Sequence, residues 1–407
     1  MGKAQKKICL ISDHHLCINP RLWKEAFFYE RMGFQVVVLT KWQNAEHKQR
    51  DLELLKEHAI VYKSFLNITP GEIHPIKRFY YRFRKRIASE MQRYFKFGGA
   101  WAINHAPNLL YRKAFEERAD FYCAHLESGL YAGVKLIKSG KKVCFDFEDW
   151  YSRDYLTSDR AIGLLQKLER FVLHQAVYCT AASDSMAKAL QTIYQCKNIP
   201  ETIYNSFPDQ ELIPTSKTTT SGSKRFQIVW TSRTVGSGRG IETFLSAASL
   251  VKEPFDFHII GECTAGYRQF LQNEFPLSKG HQLIFHTFIK HSQLLPLLST
   301  FDLGLAIEQN TPDNKNKTVS NKILQYLQAG LQVFATDTQG QKEIASYFPK
   351  SVKTVKPNEP EKWAEVIETI IHKRNKFDKK EQQFIYEQCF SWQKQEDKLE
   401  KLIKNHL

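Results

Sequence analysis

The stretch "QIVWTSRTVGSGRGIETFL", residues 227–245, decides how this chain reads. Its first six residues are apolar and β-branched, the signature of a buried strand. Its last six, from Gly240, open a helical pattern. Between them Arg233 and Arg239 bracket Gly236 and Gly238, and Gly240 follows Arg239. Glycines let a backbone approach a ligand closely. A helix N-terminus offers free N–H groups and partial positive charge, and arginine grips phosphate oxygens with paired hydrogen bonds. The turn therefore suits a diphosphate. Its other reading is a tight turn with two solvated arginines. Under either reading it is a strand–turn–helix unit.

The same unit recurs on both sides. "KKICLIS" (6–12), "QVVVLT" (35–40), "AIVYKS" (59–64), "FYCAH" (121–125), "KVCFDFE" (142–148) and "AVYCTAAS" (176–183) read as buried strands. Helix-length amphipathic stretches separate them. In "PRLWKEAFFYERMG", Asn19 is placed to cap and Pro20 to take the first helical position. "FDFHIIG" (255–261), "QLIFHTF" (282–288), "LGLAIE" (303–308) and "LQVFATD" (331–337) continue the pattern. Apolar strands alternating with helices imply α/β architecture with parallel sheets covered on both faces. The polar, unpatterned run "PTSKTTTSGSKR" (214–225) reads as a linker. The expected organisation is a first domain over 1–213, a linker over 214–225, a second domain over 226–385 and a final helix over 386–407.

Composition bounds the function. The 407 residues are too many for one ordinary core. A formal net charge of +15 favours anionic partners. No nucleic-acid-binding module accompanies that charge, so nucleic acid is not an expected partner. The eight cysteines are scattered, without a Cys-x-x-Cys pair, as in buried thiols of a reducing compartment. No apolar run approaches the ~18 residues of a membrane span. Asp13 interrupts the apolar run after the basic start too early for a signal peptide, and Lys6 breaks the myristoylation pattern. A cytoplasmic protein is expected. Neither domain has the Gly-x-Gly-x-x-Gly dinucleotide fingerprint or a P-loop, which argues against a dinucleotide enzyme and a P-loop nucleotidase.

A second motif lies downstream. In "NKILQYLQAGLQVFATD" (321–337), Lys322 and Gln325 share a helix face before Gly330 turns the chain into a strand. Lys322 joins Arg233 and Arg239 if both helices start at one sheet edge; otherwise it is a surface lysine. Taken with "RGIETFLSAA", "FHIIGE", "FDLGLAI" and "QKEI", the order of blocks resembles the C-terminal half of GT-B nucleotide-sugar glycosyltransferases, above all the retaining family 4. "INPRLWKEAFFYERMGFQVVVLT", "DFYCAHLESGLYAGVKLIKSGKKVCFDFEDWYS" and "ETIYNSFP" are similar to that family's first half.

The resemblance implies two Rossmann-like domains in tandem facing a cleft, with a C-terminal helix crossing back to the first. It implies a donor site in the second domain and an acceptor site in the first. Arg233, Arg239, Gly240, Lys322 and Gln325 are the implied donor-binding residues, and Glu308, at the end of "LGLAIE", is the candidate substitute for the family's missing carboxylate. His125 and Glu148 are the implied catalytic residues, with Asn19, Arg21 and Asp149 on the acceptor side. A neutral His125 would donate to a sugar hydroxyl; its other reading is a partly buried histidine at a strand end. Asp149 reads equally as a helix cap. No cofactor and no metal are implied, since basic side chains and helix dipoles neutralise the leaving diphosphate. The expected reaction moves a sugar from a nucleotide diphosphate to a hydroxyl of a saccharide or lipid-linked saccharide, with retention. The chain departs from the family at its glutamate pair, where Lys317 and Gln325 stand. A nucleotide-sugar epimerase, or a non-catalytic binding relative, is the alternative.

One segment points elsewhere. In "HPIKRFYYRFRKRIASEMQRYFKF" (74–97), Ile76, Phe79, Tyr80, Phe83, Ile87, Met91 and Tyr94 form one helical stripe, with Arg78, Arg82, Lys85, Arg86 and Arg93 off it. Over 75–97 this suits an anionic membrane surface, which would make the protein peripheral at the inner face of the membrane. Its other reading is a stripe packed on the first domain's sheet.

Overall fold

The computed structural model describes residues 5–155, 157–208, 225–287, 289, 291–373 and 378–406. The expected linker, apart from Arg225, lies outside the described residues, as do the first four residues and Phe288. The described chain divides into two compact units. One holds the residues up to Ile203 and those from Lys398 on; the other runs from Tyr204 to Asp397.

The first unit alternates strand and helix: β1 (Lys7–Ile11), α1 (Pro20–Arg31), β2 (Gln35–Trp42), α2 (Ala45–Leu54), β3 (Val61–Asn67), α3 (Pro75–Phe95), α4 (Gly99–Ile103), α5 (Pro107–Glu116), β4 (Phe121–His125), α6 (Leu126–Lys138), β5 (Val143–Phe147), α7 (Ile162–Gln175), β6 (Cys179–Ala181), α8 (Asp184–Tyr194) and β7 (Glu201–Thr202). Its sheet has the order β3-β2-β1-β4-β5-β6-β7, with every neighbouring pair parallel. β4 and β5 are buried along their whole length, which is why they read as unbroken apolar runs. The order reverses between β1 and β4, and ligands of such sheets bind where the carboxyl ends part. The turn after β1 carries Asp13 and Asn19, and His125 ends β4.

The second unit holds β8 (Phe226–Val235), α9 (Ile241–Ala248), β9 (Phe255–Cys263), α10 (Ala265–Glu274), β10 (Gln282–His286), α11 (His291–Leu298), β11 (Leu303–Ala306), α12 (Asp313–Lys317), α13 (Asn321–Gln328), β12 (Gln332–Thr336), α14 (Gln339–Tyr347), β13 (Val352–Val355), α15 (Pro360–His372) and α16 (Lys379–Cys389). Its parallel sheet has the order β10-β9-β8-β11-β12-β13, reversing between β8 and β11. The last helix, α17 (Trp392–His406), follows a break at Phe390–Ser391, inside the "CFSW" stretch. Its first turns group with the second unit. From Lys398 on it groups with the first, where Lys398 Nζ donates to the Thr202 carbonyl at 2.8 Å and Lys142 Nζ donates to the His406 carbonyl at 3.0 Å.

Candidate active site

In the second unit the opening motif sits at the switch point between β8 and β11. β8 runs further than its apolar run. After a register shift between Thr231 and Thr234, Thr234 pairs with Glu262 and Val235 with Cys263. Arg233 therefore lies on the end of the strand and not in the turn, while Arg239 stays in the turn; both are exposed. Arg239 Nη1 donates to Ser232 Oγ at 3.0 Å. Gly240 precedes α9 with φ 82°, a left-handed conformation. A Cβ there would lie 3.3 Å from the Ile307 side chain, so the start of α9 packs against the chain leaving β11.

That chain carries Glu308. Its backbone N–H donates to Thr336 Oγ1 at 2.8 Å, and Thr336 Oγ1 donates to the Glu308 carbonyl at 2.7 Å. Gln341 Nε2 donates to the Ala306 carbonyl at 2.6 Å and so fixes the strand end from the other side. The Glu308 carboxylate accepts from Lys322 Nζ at 2.7 Å and from Ser320 Oγ at 2.9 Å. Burial works to raise the Glu308 pKa, but the Lys322 ammonium and these hydrogen bonds outweigh it and hold the group below its ordinary value. Ser320 also caps α13, accepting from the Lys322 N–H. Lys322 Nζ lies 5.6 Å from the centre of the Trp230 ring on β8. Tyr326 fixes α13 from beneath, its hydroxyl accepting from the Thr231 N–H at 3.0 Å. Gly304 makes room for that crossing, since a Cβ there would fall 2.3 Å from the Tyr326 ring. The structure thus brings Lys322 and Glu308 together at the strand end against which Gly240 opens α9. Gln325 follows one turn on, half-buried.

The first unit holds a buried network of charge. Arg21 Nε donates to Asp146 Oδ2 at 2.9 Å and lies 3.5 Å from Glu25 Oε1. Arg21 Nη2 donates to the Ile203 carbonyl at 2.6 Å, and Thr180 Oγ1 donates to Asp146 Oδ1 at 2.5 Å. His125, wholly buried, has Glu148 Oε1 at 3.1 Å from Nδ1 and Glu25 Oε2 at 3.4 Å from Nε2. Asn19 accepts from the Leu22 N–H at 3.1 Å as the cap of α1, and its Nδ2 donates to Glu148 Oε1 at 3.1 Å. Burial disfavours charge on His125, but Glu25 and Glu148 outweigh it and raise its pKa well above the ordinary value. Burial raises the Glu25 pKa as well. Three carboxylates and one guanidinium surround the imidazole, and the excess negative charge favours a proton on His125.

These contacts place the first unit's candidate residues. His125 is wholly buried between Glu25, Asp146 and Glu148, and their charge raises its pKa well above the ordinary value. Arg21 is 1% exposed and its guanidinium faces Asp146, Glu25 and Ile203, so it does not present itself to an acceptor. Asn19 is also buried, and it reaches the site only through Glu148. Glu148 and Asp149 keep partial exposure. Glu25, His125 and Asp146 bring three ligand atoms within 4.8 Å of one another, a spacing that a metal would accept, but the Arg21 guanidinium already supplies a cation there. Sequence reasoning missed Glu25. Its signal was the four-residue spacing from Arg21 on α1.

Residues 225–373 match the family model for glycosyl transferases group 1. The match falls within the second unit and spans most of it. No curated protein matches the chain. The fold is similar to that of the Anabaena protein HepE, solved with UDP and glucose, at 15% identity and a TM-score of 0.68, covering 98% of this chain and 100% of that one. A Rickettsia africae glycosyltransferase is similar at 12% identity and a TM-score of 0.66, covering 99% of each chain. A Neisseria meningitidis UDP-GlcNAc 2-epimerase bound to UDP-GlcNAc is similar at 13% identity and a TM-score of 0.58, covering 98% of this chain and 100% of that one. At these identities the likeness establishes the fold, two Rossmann-like units of GT-B type. Arg233, Arg239, Lys322 and Glu308 all lie within the matched residues.

Proposed function

We propose that the chain transfers a sugar from a nucleoside diphosphate donor to a hydroxyl of a saccharide or lipid-linked saccharide, with retention and without a metal. The observation that carries this is the basic strand end of the second unit. Arg233 and Arg239 are exposed beside the start of α9, and Lys322 stands at the neighbouring strand end with Glu308 as its counter-charge. Charge develops on the departing diphosphate in the transition state, and preorganised cations stabilise it there. Gln325 holds the ribose, as the family resemblance implies. In the first unit Glu148 is the carboxylate that meets the reacting sugar or acceptor, with Asp149 beside it. His125 and Asn19 position Glu148. The Anabaena neighbour, solved with UDP-glucose, brings a uridine donor forward.

A thermal-shift screen against UDP, GDP, ADP and CMP tests the donor site. A nucleotide about 100-fold above its dissociation constant stabilises the fold by about 2.7 kcal/mol. No shift with any of the four sinks the reading. Turnover undiminished by EDTA tests metal independence, and the anomeric configuration of the product tests retention. Likeness to the Neisseria epimerase supports a second reading. An epimerase converts its donor without an acceptor, so product analysis with nucleotide-sugar alone separates the two. If Lys317 and Gln325 mark a non-catalytic relative, nucleotide binds with no turnover.

A further inference from the structure

Helix α3 carries seven basic residues, and its C-cap Lys96 an eighth, against one acidic residue, Glu90. It is held to its unit by one narrow side. Ala88 and Gln92 are buried, Tyr81 packs on the core, and Gln92 Oε1 accepts from the Gly98 N–H at 3.0 Å. The apolar stripe points the other way. Ile76 is 73% exposed, Phe79 65%, Phe83 50% and Tyr94 71%. Tyr80 and Ile87 complete the outward stripe, so it does not pack on the sheet. Phe79 and Phe83 stack on each other, with ring centres 5.3 Å apart.

Arg78, Arg82 and Arg86, one turn apart in sequence, run beside this stripe. With Phe79, Phe83 and the Gly71 turn they line a groove of about 520 Å³. Arg78 is anchored at the groove floor, its Nε donating to the Ile68 carbonyl at 3.1 Å. On the other flank Arg84 stacks over Trp101 at 3.4 Å. An exposed apolar row bordered by cations on both sides matches neither bulk water nor a neutral protein surface. It matches an interface that is apolar below and anionic at the level of the cations. Among the described residues no helix is long and apolar enough to cross a membrane, so α3 would lie along the surface.

We propose that α3 docks flat on an anionic phospholipid bilayer, its aromatic row entering the headgroup boundary and its Arg78–Arg82–Arg86 groove holding lipid phosphate. Nothing in this docking depends on transferase chemistry. The test is flotation of the full chain with phosphatidylglycerol vesicles, with phosphatidylcholine vesicles, and with phosphatidylglycerol plus excess inorganic phosphate. Wild type should float with phosphatidylglycerol at low salt, leave it at high salt, ignore phosphatidylcholine and tolerate free phosphate at matched ionic strength. Arg82→Gln/Arg86→Gln should weaken partition about thirtyfold, the fold-change for two basic residues at about 1 kcal/mol each. Phe79→Ser/Phe83→Ser, which keeps every charge, should also release the protein. Circular dichroism and melting temperature check that both variants fold; their altered residues are exposed. Wild type left unfloated, equal flotation with phosphatidylcholine, or either variant floating like wild type overturns the proposal. So does a lipid-free dimer that Phe79→Ser/Phe83→Ser dissociates, since the face then pairs two copies. A nucleotide thermal shift without lipid reads the transferase proposal separately.

Discussion

Lys322 Nζ lies 2.7 Å from Glu308 Oε1, and this contact ties the first turn of α13 to the chain leaving β11. It gives the lysine a counter-charge with or without a ligand. It also fixes the ammonium beside Trp230, at the strand end where the opening motif turns into α9.

Glu308→Gln should destabilise the protein by about 1–2 kcal/mol at neutral pH, the scale of a hydrogen bond to a charged group. The folded pKa of Glu308 is depressed, so its contribution is present above the unfolded carboxylate pKa and is lost as pH falls through the folded value. Urea melts of wild type and variant should differ at pH 7 and converge below about pH 4. A gap that persists in acid would show that Lys322 does not favour the ionised carboxylate.

Arg233→Ala and Arg239→Ala should each weaken nucleoside diphosphate binding by roughly 1.5–3 kcal/mol. Both side chains are exposed, so folding should be intact. Titration calorimetry with UDP reads the loss. Unchanged affinity in both variants removes this strand end as the diphosphate seat.

Gln325→Glu should keep nucleotide affinity, because a carboxylate accepts the same ribose hydroxyl bonds. Gln325→Leu should lose it. A leucine variant that binds as wild type does would mean that Gln325 is packed and does not touch the ribose.

Most of the sheet order's raw material was legible. Runs such as "KICLI" and "FYCAH" are buried along nearly their whole length, and burial on both faces leaves an unbroken apolar string. The Arg233 end of β8 was not legible, because its strand character comes from pairing Thr234 with Glu262, a partner distant in sequence. "AVYCTAAS" gave only a three-residue strand, Cys179–Ala181, near the thin end of its sheet. The basic strand end was visible as residue types, two arginines among three glycines between a strand and a helix. The burial of His125 was not. It depends on Glu25 from α1 and Glu148 from the end of β5, and no local pattern announces a contact across a hundred residues.

His125→Gln tests that buried network. Removing one member of a buried, hydrogen-bonded charge cluster leaves Glu25 and Glu148 uncompensated and should cost about 3–5 kcal/mol. The pH dependence distinguishes a lost cation from a lost shape. The folded pKa of His125 is raised, so its contribution is full below the unfolded value of about 6.5 and falls as pH climbs through the folded value. The stability gap between wild type and His125→Gln should therefore be widest at about pH 5–6 and shrink steadily into the alkaline range. An NMR titration should show the wild-type imidazole still protonated at pH 7. A gap that widens with pH, or an imidazole neutral at pH 7, would mean that the carboxylates do not hold a proton on His125, and Asn19 would be left as the donor that positions Glu148.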